Sequence, residues 1–270
     1  GKWVIYVRGG DHGSNWNDDL PVNPSFHPVP TKVQVWSIPF SGGEPKSLGE
    51  GENPVISPKS DKVAYSKGGQ IYTVTIDGAA PATVLFTARG TNGSPVWSPD
   101  GSRIAFQSNR TDHQFIGVYT DAQTPIRWID PQFKRDQSPR WSPDGKKIAV
   151  MRQDERYVEH MHYISYTPQR PKHYSQPYAL PGDTAVPYPR MHIVDVASKA
   201  NVVAQLPVRP NNLSIGGSVR DSAWAENSQK VHVSWLMRGS KAAYLAEVDA
   251  TNGVTRVIAR DTPSAVGWQS

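Results

Sequence analysis

Ser94-Pro-Val-Trp-Ser-Pro-Asp-Gly-Ser-Arg-Ile-Ala-Phe106 is the stretch that decides how this chain folds. Val96-Trp97 is a short apolar strand, and Ile104-Ala105-Phe106 belongs to a second one. Ser98-Pro99-Asp100-Gly101 between them carries turn chemistry: Pro sets φ, Asp bonds its own backbone, and Gly accepts the crowded exit. Strand, tight reversal and strand make a β-hairpin.

The hairpin recurs. Ser138-Pro-Arg-Trp-Ser-Pro-Asp-Gly-Lys-Lys-Ile-Ala-Val150 is nearly the same string. Asn53–Tyr65 is a weaker copy and Asp221–Val233 a degenerate one. Trp97 and Trp141 lie 44 residues apart, as do Trp224 and Trp268, while Ile56 precedes Trp97 by 41. Trp141 to Trp224 is 83, one period plus an insertion. A self-similar period of roughly 40–50 residues with four strands per unit is the mark of a β-propeller blade. No sustained 3.6-residue apolar period supports a helical array. The expectation is an all-β propeller of about five four-stranded blades, at roughly 1–50, 53–91, 94–135, 138–208 and 221–270. Residues 153–189 are an insertion in the fourth.

Composition agrees with a sheet protein that turns often: 24 Pro, 22 Gly, nine Trp and eleven Tyr in 270 residues. The aromatic rings supply the apolar faces that stacked sheets need. No apolar run is long enough to span a membrane as a helix, and no signal peptide is visible at the start. With no Cys there are neither disulfides nor thiolate metal sites. The formal charge of +5 is dispersed, without the clustered basic surface that nucleic-acid binding requires.

In chain order, Gly1–Val7, Lys32–Ile38 and Pro45–Leu48 are read as three strands of the first blade, its inner strand missing. Gly9–Thr31 between them is a long polar loop, of a length usually functional or unstructured. The second blade takes Pro54–Ile56, Val63–Ser66, Gln70–Ile76 and Thr83–Ala88, with Gly68-Gly69 as a hairpin turn. The third takes Pro95–Trp97, Arg103–Ser108, Phe115–Tyr119 and Pro125–Ile129. The fourth takes Pro139–Trp141, Lys147–Arg152, Arg190–Asp195 and Asn201–Leu206, and the fifth Ser222–Trp224, Lys230–Leu236, Ala242–Asp249 and Thr255–Ala259. Ala265–Trp268 is a spare inner strand. Either it pairs with Lys2–Val7 to close a five-bladed ring, as unpaired edges favour, or the chain is an arc of a larger propeller.

The fourth and fifth blades are more specific. His162-Tyr-Ile-Ser-Tyr-Thr-Pro168, Tyr178-Ala-Leu-Pro-Gly-Asp-Thr-Ala-Val-Pro187 and Arg190-Met-His-Ile-Val-Asp-Val196 resemble the propeller insertion of the prolyl oligopeptidase and dipeptidyl peptidase IV family of serine peptidases. Val233–Arg238, Tyr244–Asp249 and Val266-Gly-Trp268 are similar to the blade that follows it there, and Ser94–Tyr119 to bacterial members. The resemblance implies a non-catalytic propeller that screens and positions peptide substrates for an α/β-hydrolase domain of the same parent protein. It places that protein in the bacterial periplasm or cell envelope, with the cytoplasm as alternative, and leaves room for a homo-oligomer.

No Gly-x-Ser-x-Gly elbow occurs, so the chain supplies no serine nucleophile. Where the family's aminodipeptidases carry paired Glu residues for the substrate amine, this chain has Trp128-Ile-Asp-Pro-Gln-Phe-Lys-Arg-Asp136. The alternative function is a free-standing propeller like that of the Tol–Pal system, a protein–protein adaptor; the Ser-Pro-Asp-Gly repeat is shared with it, but the insertion 153–189 has no place there.

Candidate residues follow. Asp154, Glu155, Arg156 and Glu159 open the insertion and are expected to face a ligand cavity. Arg110 and His113, at a hairpin of blade three, join them as substrate-binding candidates, against a plain reading as turn and surface-pair residues. Glu159-His-Met-His162, and Asp11-His12 with Asp18-Asp19, are read as polar edge and loop residues rather than metal ligands. No catalytic residue, metal or cofactor is expected. Trp97, Trp141, Trp224 and Trp268 are expected to pack between blades, their indole N–H groups on backbone acceptors.

Overall fold

Each copy of the repeat folds into the same closed turn. Ser98 N–H donates to Arg103 O at 2.8 Å and Gly101 N–H to Ser98 O at 2.8 Å, and Ser142 and Gly145 repeat these bonds at 2.9 and 2.8 Å. The serine hydroxyl seals the turn from inside. Ser98 Oγ donates to Asp100 Oδ1 and accepts from Arg103 N–H at 2.9 Å, and Ser142 Oγ does the same with Asp144 and Lys147 N–H. Gly101 and Gly145 sit at φ 72° and 68°, the left-handed region that glycine enters without cost. In the degenerate copies Ser60 and Ser228 occupy that position, at φ 55° and 60°. Asn53, Ser94 and Ser138, each before a proline, also have φ near 50°, and register shifts mark bulges at Glu52/Val55 and Gln137/Arg140.

The computed structural model describes residues 1–9, 32–166, 169–216 and 223–262. Apart from a 3₁₀ turn at Arg238–Ser240, the regular elements among the described residues are strands. These fall into two units, Gly1–Trp97 with His162–Gln176, and Ser98–Met161 with Pro177–Ser270.

In the first unit β1 (Trp3–Arg8), β2 (Gln34–Pro39) and β3 (Lys46–Glu50) form an antiparallel three-stranded sheet. β4 (Glu52–Ile56), β5 (Lys62–Lys67), β6 (Gln70–Thr75) and β7 (Thr83–Phe86) form a four-stranded meander. Gly68 and Gly69, both at positive φ, close β5 onto β6 as the sequence predicts. Val35 and Leu48 of one sheet pack with Val63, Tyr65, Val74 and Ile76 of the other. Burying such side chains contributes about 1.5–3 kcal/mol each. β8 (Thr91–Trp97) follows in this unit, and Trp97 Nε1 donates to Val55 O at 3.3 Å.

The second unit begins with β9 (Ile104–Asn109), β10 (Gln114–Tyr119) and a two-residue β11 (Arg127–Trp128), shorter than the predicted Pro125–Ile129. β12 (Arg135–Trp141) and β13 (Lys147–Asp154) follow. The insertion contains a hairpin of β14 (His160–Ser165) and β15 (Lys172–Pro177), most of which belongs to the first unit. β16 (Tyr188–Asp195) and β17 (Asn201–Val203) then extend the sheet in the order β12-β13-β16-β17, the predicted fourth blade.

β18 (Asn212–Ile215), β19 (Lys230–Leu236), β20 (Ala243–Asp249) and β21 (Thr255–Asp261) make the last meander. Its first strand lies earlier than the predicted Ser222–Trp224. Leu213 and Ile215 pair with Trp235 and Val233, leaving Trp224 a single bridge to Val231. The alternating buried face of β19 needs a partner along its whole length, and one Trp-centred tripeptide is too short. Ala149, Met191 and Ile193 of the fourth-blade sheet pack on Leu213, Val233 and Trp235 of this one.

Trp224 Nε1 donates to Arg140 O at 3.1 Å. Arg140 immediately precedes Trp141, the equivalent residue of the previous repeat, just as Val55 precedes Ile56. Both indoles therefore hold the same carbonyl one repeat back. Trp268 and the strand Ala265–Trp268 lie outside the described residues, and so do positions 10–31, which include Asp11, His12, Asp18 and Asp19.

Candidate functional site

The β13–β16 register divides the side chains of these strands between two faces. Val150 opposes His192, Arg152 opposes Arg190 and Asp154 opposes Tyr188. Directly paired residues share a face, and successive residues along a strand alternate between the two faces. Ala149, Met151, Met191 and Ile193 go to the apolar core. The other face is apolar as far as Val150 and turns charged from Arg152 onward.

Arg152 is 2% exposed and held from two sides. Its Nε and Nη2 donate to the two Asp136 oxygens at 2.6 and 2.8 Å, and Asp136 is equally buried. Nη1 reaches Asp130 Oδ2 at 2.9 Å and Nη2 reaches Asp130 O at 2.7 Å. Burial pushes the Asp136 carboxyl up, against the opposing pull of the guanidinium. At the more open Asp130, burial is outweighed by hydrogen bonds from Arg152 and Asn201, and its pKa falls. Asn201 Nδ2 donates to Asp130 Oδ2 at 2.6 Å, which turns Asn201 Oδ1 toward His192 Nδ1 at 3.0 Å. His192 is thus a neutral imidazole donating from Nδ1, its pKa lowered to about 4 by burial.

Toward solvent, the carboxylates of Asp154 and Glu155 are engaged within the chain. Asp154 accepts from Arg156 Nε and Nη2 at 2.8 and 2.7 Å, with Lys134 Nζ at 3.6 Å. Those Arg156 hydrogen bonds lower its pKa to about 2. Glu155 accepts from Arg135 Nε at 2.9 Å and from Gln153 Nε2 at 2.6 Å. Two hollows open here. One, of about 90 Å³, is lined by Lys134, Arg152, Asp154, Tyr188, Arg190 and His192. The other, of about 240 Å³, lies between Asp154, Arg156, Tyr157, Val158, Tyr188 and Arg209. Arg190 and Arg209 stack on Tyr188, guanidinium carbons 4.6 and 4.4 Å from the ring centre.

Of the six residues singled out in the sequence, Asp154 and Arg156 line the larger hollow. Glu155 faces Arg135, and Glu159 is exposed, its carbonyl accepting from Tyr178 N–H at 2.8 Å. Arg110 lies over the Phe115 and Trp128 rings. His113 bonds Asp112 at 2.6 Å and packs on Phe115 and Phe133. Arg135 connects the two groups, donating from Nη2 to Thr111 O in the Arg110–His113 turn.

Sequence reasoning missed Arg152, Tyr188, Arg190, His192 and Arg209. The usable signal was an arginine at the end of the apolar run Ile148–Met151. His162 Nδ1 and His173 Nε2 meet at 2.9 Å across the β14–β15 hairpin. Among the described residues no group of three His, Cys, Asp or Glu side chains converges on a metal-sized point.

Antiparallel meanders that recur along the chain, with indoles at Trp97 and Trp224 pinned to the repeat before, define a β-propeller. The family model of the dipeptidyl peptidase IV (DPP IV) N-terminal region matches residues 128–269, more than half of the 270. The chain belongs to that family. No curated protein matches it.

Among solved structures it resembles dipeptidyl peptidase 4 of Porphyromonas gingivalis, with a TM-score of 0.66, 16% identity, and 85% of this chain and 37% of that one covered. A candidate dipeptidyl aminopeptidase IV of Bacteroides ovatus gives 0.53 and 13%, covering 85% and 35%. A candidate TolB of Agrobacterium tumefaciens reaches a TM-score of 0.44 at 20% identity, covering 64% and 56%. At these identities the first two likenesses establish the fold, and the third carries no argument. The chain spans little more than a third of the length of either peptidase.

Proposed function

We propose that the chain is the propeller domain of a bacterial DPP IV-family serine peptidase, admitting and positioning peptides for an α/β-hydrolase domain of the same parent protein. The observation that carries this reading is the family match across residues 128–269, the part of the chain that contains the charged mouth at Asp154–Arg156. A domain that positions substrate needs a rigid floor under its contacts. Arg152, buried and held by two carboxylates, is such a floor. Asp154, Glu155, Arg156 and Glu159 are the proposed substrate contacts, with Arg110 and His113 reached through Arg135. On this reading the whole chain is one propeller domain, and the parent protein works in the bacterial periplasm or envelope.

The test uses the purified chain and its full-length parent with a panel of chromogenic dipeptide and tripeptide substrates. The chain alone should show no turnover. The parent should show it, with KM altered by Arg156→Ala and the hydrolase serine left intact. Enzyme-like turnover by the chain alone would overturn the assignment. A parent lacking any hydrolase domain, together with a stable complex with a peptidoglycan-linked lipoprotein, would transfer it to the adaptor class.

A further inference from the structure

The charged groups around Tyr188 are unevenly matched. Five cations, Lys134, Arg152, Arg156, Arg190 and Arg209, line the two hollows, against the single carboxylate of Asp154. Arg152 is neutralised from behind by Asp130 and Asp136. Asp154 is occupied by Arg156 and Lys134. Among the described residues, neither Arg190 nor Arg209 has a carboxylate within ion-pair distance. Arg209 spends one N–H on Val186 O at 3.1 Å, and both guanidiniums are oriented by the same ring.

Stacking of this kind fixes the plane of a guanidinium while leaving its N–H edge free for a bidentate acceptor. Val158 and Val186 add an apolar wall. A volume of about 240 Å³ suits a side chain or a chain end rather than a drug-sized ligand, whose sites run roughly 300–1,000 Å³.

We propose that the larger hollow, between Arg156, Tyr188 and Arg209, binds a peptide carboxylate, so that this face selects acidic rather than amine-presenting ligands. The inference rests on the peptide-positioning reading and goes beyond it by reversing the charge of the ligand group. Asp154, its oxygens already taken, competes with the ligand for Arg156 instead of receiving an ammonium.

The test is titration of the full chain with four fluorescent pentapeptides, monitored by anisotropy at low and high salt. One carries internal Glu and blocked ends, one is apolar with a free C-terminus, one is apolar with blocked ends, and one is apolar with a free N-terminus only. A side-chain carboxylate site binds the first, a chain-terminus site the second, and the last two should bind at least about ten-fold more weakly, since charge-assisted bonds to an anion are lost.

Arg209→Ala should lower affinity for the preferred peptide about ten-fold or more. Arg209→Lys should recover part of it, because it restores charge without the fork. Asp154→Asn should raise affinity by freeing Arg156 and Lys134, a gain that misfolding cannot mimic. A fall in affinity with Asp154→Asn, or equal binding of all four peptides, overturns the inference and leaves the peptide-positioning reading standing. Failure of all four to bind, with circular dichroism unchanged, overturns both.

Discussion

Arg152→Met tests the foundation of the site. The substitution roughly keeps the reach of the side chain and removes its charge. Asp136, 2% exposed, then loses bonds of 2.6 and 2.8 Å and keeps its carboxylate in a site that water does not reach. Asp130 loses two more contacts, at 2.9 and 2.7 Å. Breaking a buried ion pair from one side costs about 3–5 kcal/mol, because the remaining charge is uncompensated.

Arg152→Met with Asp136→Asn leaves only a neutral amide short of partners, at about 1–3 kcal/mol. The double variant should therefore be more stable than Arg152→Met alone. Urea unfolding followed by both fluorescence and circular dichroism measures this, with coincident transitions required before free energies are compared. A loss below about 1 kcal/mol for Arg152→Met, or single effects that simply add, would show that the pair is not what holds this face together.

Three further outcomes follow from the same contacts. His192 is neutral in the fold with a pKa of about 4, against about 6.5 unfolded, so the unfolded chain binds the extra proton as pH falls between those values; stability drops by about 3 kcal/mol across that window, and His192→Gln should lose that much less between pH 7 and pH 4, with identical pH slopes refuting it. Ser142→Ala removes the buried hydroxyl that accepts from Lys147 N–H and should cost about 1–3 kcal/mol, whereas Ala225→Ser, at the copy that lacks the hydroxyl, should gain about 0.5–1 kcal/mol; thermal unfolding shifts of the opposite signs would sink the shared-turn account. Gly117→Ala would place a Cβ 2.5 Å from Phe106 Cζ and 3.0 Å from Trp128 Cζ3, and should destabilise by about 1–3 kcal/mol; an unchanged midpoint would mean that the ring cluster yields freely.

Much of the fold was legible because the repeat carries its own punctuation. Trp-Ser-Pro-Asp-Gly marks both the end of one strand and the reversal into the next, so β12 and β13 fall where the string places them. The insertion was legible as an excess over the 44-residue period. The early start of the last meander was not, because Asn212–Ile215 contains no turn signal and only two apolar residues. The positive φ at Asn53, Ser94 and Ser138 was hidden too, since a residue before proline is ordinarily extended.

For the site, the sequence picked out Asp154 and Arg156 from charge density at the head of an insertion. It could not show that the carboxylate is already held by the arginine two residues on.

The sequence by itself determined the all-β repeat and its turns, since these depend on contacts between residues close along the chain. Only the tertiary structure decided the charge of the site. That charge depends on which of Arg152, Arg190 and Arg209 meet a carboxylate, and those meetings are made by residues that strand pairing brings together from far along the chain, as Asp130 and Asn201, 71 positions apart, show.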